Sequence, residues 1–174
     1  MTTIDTFNPM YIRSMTKKDI HQCFVDQLTS ELESLTAAAK NTIATATNKE
    51  HHAKSKYETF SLESSYLARG QAKRVEELTD ALERLRMLPL KKLNDTAPIQ
   101  LSALVRLEAS DGEKRTVFFG PAGGGEEIIV DGEEIIIVTS RSPLGQAVLG
   151  KTVGDAIDIK MGIDAQTFTV VSVE

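Results

Sequence analysis

The chain has 174 residues, enough for one ordinary domain or two small ones. With 41% hydrophobic and 26% charged residues it has the composition of a globular protein rather than a disordered one. Its longest purely apolar run, Ile135–Val138, falls far short of the roughly 20 residues that cross a bilayer, and a net charge of −5 argues against unspecific DNA binding by the molecule as a whole.

Residues 1–15 read as an N-terminal tail. They lack the basic start and apolar core of a secretory leader, so a cytoplasmic location is expected. Thr16 followed three residues later by Asp19 resembles a helix-start box, with Asp in place of the usual Glu. After it Phe24, Leu28, Leu32, Leu35, Ala39, Ile43 and Ala46 recur at steps of three and four, one apolar stripe with a period of about 3.7. A second stripe runs through Leu62, Tyr66, Val75, Leu78, Leu82, Leu85 and Leu88, and Pro89 stops it. Helices of this extent span about 45–50 Å at 1.5 Å per residue. One stripe apiece does not make a globular core, so the two are expected to pair as an antiparallel hairpin, a coiled-coil finger over residues 16–88. Its tip is placed within 48–59, where the apolar pattern lapses.

Residues 89–98 read as a linker, and from 99 to 174 the grammar changes. The first 96 residues carry 14 basic and 13 acidic side chains, the remainder 6 and 12, and ten of the eleven glycines lie at or after Gly112. Candidate strands are Leu101–Leu107, Thr116–Phe119, Glu127–Val130, Glu134–Thr139, Ala156–Lys160 and Thr167–Val173, with Asp131-Gly132 a strong hairpin signal. A short helix, Leu144–Leu149, follows Pro143. The predicted fold class is α+β: a helical hairpin followed by a small, mainly antiparallel β domain with one short helix.

Gly145 to Thr152 satisfies the G-x-x-x-x-G-K-T pattern of a phosphate-binding loop. Its middle residues favour helix, though, and Thr152 runs toward a strand instead of opening a long helix, so the pattern reads as a helix-to-strand turn. The lone Cys23 excludes an internal disulfide and a multi-cysteine zinc site, and His21 two residues away is not placed to act as its base. Adjacent His51 and His52 point in different directions and make no metal site. Glu58 and Glu63 flank the start of the second helix. They are either carboxylates favoured by the helix dipole or groups a rigid finger delivers into another molecule's site. Lys54, Lys56, Arg69 and Lys73 are either solvated charge or contacts to nucleic-acid phosphates.

The run Ser142-Pro143-Leu144-Gly145-Gln146-Ala147-Val148-Leu149-Gly150-Lys151, continued by Val153-Gly154-Asp155, resembles the C-terminal domain of the GreA/GreB family of bacterial transcription elongation factors. The segments Tyr57-Glu58-Thr59 and Leu62 to Ala72, and the turn Pro121-Ala122-Gly123-Gly124-Gly125, resemble a divergent branch of it. The resemblance implies an FKBP-like C-terminal domain that docks on bacterial RNA polymerase at the rim of the secondary channel, through Ser142, Pro143, Leu144 and Gly145. It also implies a finger reaching through that channel toward the nascent RNA 3′ end. There Glu58 and Glu63 would help hold a magnesium ion shared with the polymerase active site, and transcript cleavage would be the polymerase's own. The chain would then be an accessory factor rather than an enzyme, with no membrane partner.

The family's tip carries an Asp and a Glu three apart. Aligning on Tyr66 puts Thr59 and Leu62 at those positions, and Glu58 and Glu63 each lie one residue away. A channel-binding regulator that does not promote cleavage is therefore the alternative, and a coiled-coil chaperone or scaffold a further one. Prolyl isomerisation needs an aromatic-lined pocket, which Phe118, Phe119 and Phe168 alone do not provide.

Overall fold

The computed structural model describes residues 15–48, 57–161 and 164–174; at 39–48, 57–66, 68, 160–161 and 164–165 it describes the backbone alone. Two long helices come first, α1 (Lys17–Asn48) and α2 (Tyr57–Arg86), of 32 and 30 residues. The start box ahead of α1 is real. The Thr16 backbone N–H donates to Asp19 Oδ2 (2.9 Å), and the Asp19 N–H donates back to Thr16 Oγ1 (3.3 Å). Two otherwise orphaned donors are thus satisfied reciprocally. At the other end Arg84 and Arg86 sit in the last turn of α2, where the helix dipole favours cations. The helices run antiparallel: a His21 ring nitrogen meets the Leu85 carbonyl at 2.8 Å, and ten residues further along α1 Glu31 meets Arg74. The predicted tip at 48–59 lies largely outside the described residues.

The sheet half contains β1 (Leu104–Ala109), β2 (Lys114–Phe119), β3 (Glu127–Val130), β4 (Glu133–Val138), a short helix α3 (Pro143–Val148), β5 (Ala156–Met161) and β6 (Asp164–Val173). The six strands form one sheet in the order β3-β4-β2-β1-β6-β5. Every neighbouring pair is antiparallel except β2 with β4. Asp131 and Gly132, with φ of 52° and 81°, form the two-residue turn between β3 and β4. The first strand starts at Leu104 rather than the expected Leu101 because the chain turns just before it. Ser102 has a φ of 73°, its N–H donates to the Phe119 carbonyl, and its Oγ accepts from the Lys91 N–H.

Alternation along the strands sends side chains to two separate cores. Val105, Leu107, Val117, Phe119, Val138 and Val170 lie in one core, to which Val148 of α3 also belongs. Leu104, Phe118, Ile128, Ile135 and Ile137 belong to the other, together with Phe24, Leu28, Leu78, Leu82 and Leu85 of the hairpin. The sequence predicted that each helical stripe buries itself against the other. At the base of the finger the stripes instead close a three-way core with the sheet, because Phe118 and the isoleucines of β4 need cover that only the helices supply. No helix among the described residues is long and apolar enough to cross a membrane.

Candidate functional site

The Ser142–Gly145 turn is built from local rules. Ser142 is extended (φ −78°, ψ 148°) and caps α3, its Oγ accepting from the Gly145 N–H at 3.0 Å while donating to the Thr139 carbonyl at 3.0 Å. Pro143 occupies the first helical turn, where its missing N–H costs nothing. Gly145 is buried, and a Cβ there would lie 1.9 Å from the Thr139 carbonyl oxygen, so no other residue fits without moving backbone. Leu144 packs partly against the sheet core, and Pro143 is exposed. Of the four residues that resemble a docking segment, Ser142 and Gly145 are therefore also required by the turn itself, Leu144 is shared with the core, and Pro143 is exposed.

The G-x-x-x-x-G-K-T pattern is spent on the fold. Its middle lies in α3, and Gly150, at φ +76°, ends the turn that follows. The Gly150 N–H donates to the Ile99 carbonyl, the Ile99 N–H to the Lys151 carbonyl, and the Lys151 N–H to the Val148 carbonyl. Amides engaged this way cannot cradle a phosphate. Thr152 donates through its backbone N–H (2.8 Å) and its hydroxyl (3.1 Å) to Asp155 Oδ2, and these two bonds, the backbone one first, hold the Asp155 carboxyl below its ordinary range. Across the β3–β4 pair the reverse occurs. The Glu127 carboxyl is raised, mainly by its hydrogen bond with Glu134 and by that neighbour's charge.

On the finger, Glu58 and Glu63 both fall within α2, at its first turns. Five residues at about 100° each place them about 140° apart around the helix axis. Thr59 and Leu62, three apart, share a face. The backbone positions of Glu58 and Glu63 therefore lie on different sides of one helix. Lys54 and Lys56 lie outside the described residues. Arg69 and Lys73 are exposed on α2, Lys73 in an i,i+4 pair with Glu77 at 3.5 Å. Among the described residues no three His, Cys, Asp or Glu side chains gather to hold a metal.

Arg74, the residue after Lys73 on α2, behaves differently. Its guanidinium meets Glu31 at 2.8 Å and Glu126 at 3.1 Å. Nothing in the local pattern around residue 74 marks it, since its partners lie 43 and 52 residues away. The lone thiol of Cys23 is half-buried and pushed up, first by burial and then by Asp26 and Asp19, which keeps it in the unreactive protonated form.

No protein-family model and no curated protein sequence matches the chain. Among solved structures it is similar to Gfh1 of Thermus aquaticus, at 19% identity over 86% of this chain and 92% of that one with a TM-score of 0.37. It is similar also to GreA factor homolog 1 (Gfh1) of Thermus thermophilus, at 21% identity over 86% and 94% with a TM-score of 0.37. The prokaryotic transcription elongation factor GreA/GreB of Nitrosomonas europaea is similar at 20% identity over 55% of this chain and 78% of that one, with a TM-score of 0.35.

Proposed function

We propose that this chain is a bacterial transcription factor of the Gre type. In this reading it docks on RNA polymerase through its sheet half and extends its helical finger through the secondary channel. The observation that carries the proposal is the joining of a Ser142–Lys151 motif, folded as a capped turn and short helix, to a finger of 32- and 30-residue helices that packs on the sheet at its base. Helices of 32 and 30 residues make a finger about 45 Å long, a reach that suits such a task, and the sheet half carries the surface that would hold it in place. The factor works in the cytoplasm as an accessory, with cleavage chemistry left to the polymerase.

The helical phase of Glu58 and Glu63 favours a regulator that occupies the channel over one that delivers a pair of carboxylates to magnesium. Two measurements separate these readings. Labelled protein titrated with core polymerase should bind, and Pro143→Gly should weaken that binding. In a backtracked elongation complex with Mg²⁺, Glu58→Ala and Glu63→Ala should bind as tightly as the parent. If cleavage is stimulated at all, only one of the two should lose it. Equal loss in both would restore the shared-metal reading, and absence of any polymerase binding would leave a chaperone or scaffold.

A further inference from the structure

The glycine-rich turn after β2 and the Arg74 cluster are both left unused by that reading, and they meet. Gly120 lies so close to β4 that a Cβ would come within 2.8 Å of Ile137 Cγ2, and one on Gly124 would lie 3.1 Å from Thr139 Cγ2. The loop is fastened by the Gly125 N–H to the Ile137 carbonyl (2.9 Å) and by the Ile137 N–H to the Glu126 carbonyl (2.8 Å). This flat, bonded loop ends on Glu126, which Arg74 reaches across from α2 while also holding Glu31 of α1.

The position of this bridge along the finger matters. Leu28 and Leu78 are the outermost hairpin side chains fully buried in the core shared with the sheet. Glu31 and Arg74 each lie about one turn further out, where apolar contact is giving way to solvent. From Arg74 to the start of α2 is a further 17 residues, about 25 Å of helix. A tilt of about 10° at the bridge displaces that end by about 4 Å over such a lever.

We propose that Arg74 is a positioning residue: by tying both helices to Glu126 of the sheet half it fixes the direction in which the finger leaves the sheet, and so the place its tip can reach. This rests on the reading of the finger as a probe that acts at a distance from its docking surface. The Gly123–Gly125 turn serves the same end by bringing Glu126 under α2. A partly exposed ion pair adds little to overall stability, so its effect should appear in orientation rather than in unfolding.

The test is a distance measurement on the full chain. Spin labels at Leu67→Cys on α2 and Asp158→Cys on β5, in a Cys23→Ser background, should give one narrow distance distribution. Arg74→Ala and Glu126→Gln should both lose that single narrow distance, and Arg74→Lys, which keeps the charge but not the two-pronged contact, should fall between. Glu126→Gln leaves intact the Arg74–Glu31 pair within the hairpin and the bond from Gln27 Nε2 to the Glu127 carbonyl (2.9 Å), so it isolates Arg74's own link to the sheet. Thermal midpoints should fall by no more than roughly 2–4 °C, the scale of a weak pair in a chain of this size. Salt near about 1 M, where the Debye length is about 3 Å, should broaden the parent's distribution and leave that of Arg74→Ala unchanged. Unaltered distributions in both Arg74→Ala and Glu126→Gln overturn the proposal. With polymerase, Glu126→Gln should lower the maximal effect on transcription while leaving the half-maximal concentration where it is. A parent protein that does not bind polymerase removes the functional reading, and the distances still decide the role of Arg74.

Discussion

Gly145 and Pro143 stand two residues apart and answer to different constraints. A methyl group at Gly145 would collide with the Thr139 carbonyl, so Gly145→Ala should destabilise the chain by about 2–4 kcal/mol in denaturant unfolding, a core-strain effect. Pro143→Gly touches only an exposed first turn and should cost less than about 1 kcal/mol while weakening polymerase binding. A Gly145→Ala protein as stable as the parent would show that the turn is free to shift. Asp155 provides a pH handle. Its folded carboxyl lies below its unfolded value, so its contribution is complete above the ordinary carboxylate range near about 4 and is lost as the pH falls through the lower folded value. Asp155→Asn should flatten that acid limb of the stability profile, as read by urea midpoints across pH. The short helix after Pro143 was legible in the sequence because a first-turn proline is a local signal; the Ser142 cap and the close approach at Gly145 appear only in the folded turn. The bond from the Ile99 N–H to the Lys151 carbonyl was not legible either, since it reaches 52 residues back along the chain.

The elements follow from period. Stripes at three and four residues yielded α1 and α2, and alternation with Asp131-Gly132 yielded β3 and β4. Both ends of the short helix shifted by one residue, to Pro143–Val148: proline is accommodated inside the first turn, and Leu149 has left the helix at φ −56°, ψ 128°. Periodicity states that a face is buried without stating what covers it, which is why the packing of the hairpin on Phe118, Ile135 and Ile137 could not be read in advance. Phe24 is fully buried at that junction, its ring 5.9 Å from that of Phe118. Phe24→Ala should cost about 3–5 kcal/mol. It should lower helical and sheet signals together in one thermal transition, since the side chain it removes belongs to both. Loss of helix at a temperature where the sheet persists would mean that the two halves fold separately.

For the molecule as a whole, the arrangement is a finger rooted in a sheet, with the Ser142 turn carried on the sheet half. That form was visible in the sequence as a break in grammar near residue 96, with the acidic, glycine-rich half beyond it. The direction of the finger was not, because it depends on a bridge among Arg74, Glu31 and Glu126 that only the folded chain assembles. On the proposed reading, the finger's far end enters the polymerase toward the transcript. The most direct test places a photo-crosslinking amino acid at Thr59 in α2 and, as a control, at Asp158 in β5, and irradiates each with a backtracked bacterial elongation complex carrying labelled RNA. Crosslinks from position 59 to the RNA 3′ end, absent from position 158, are the predicted result. Binding without any crosslink from position 59 would contradict it.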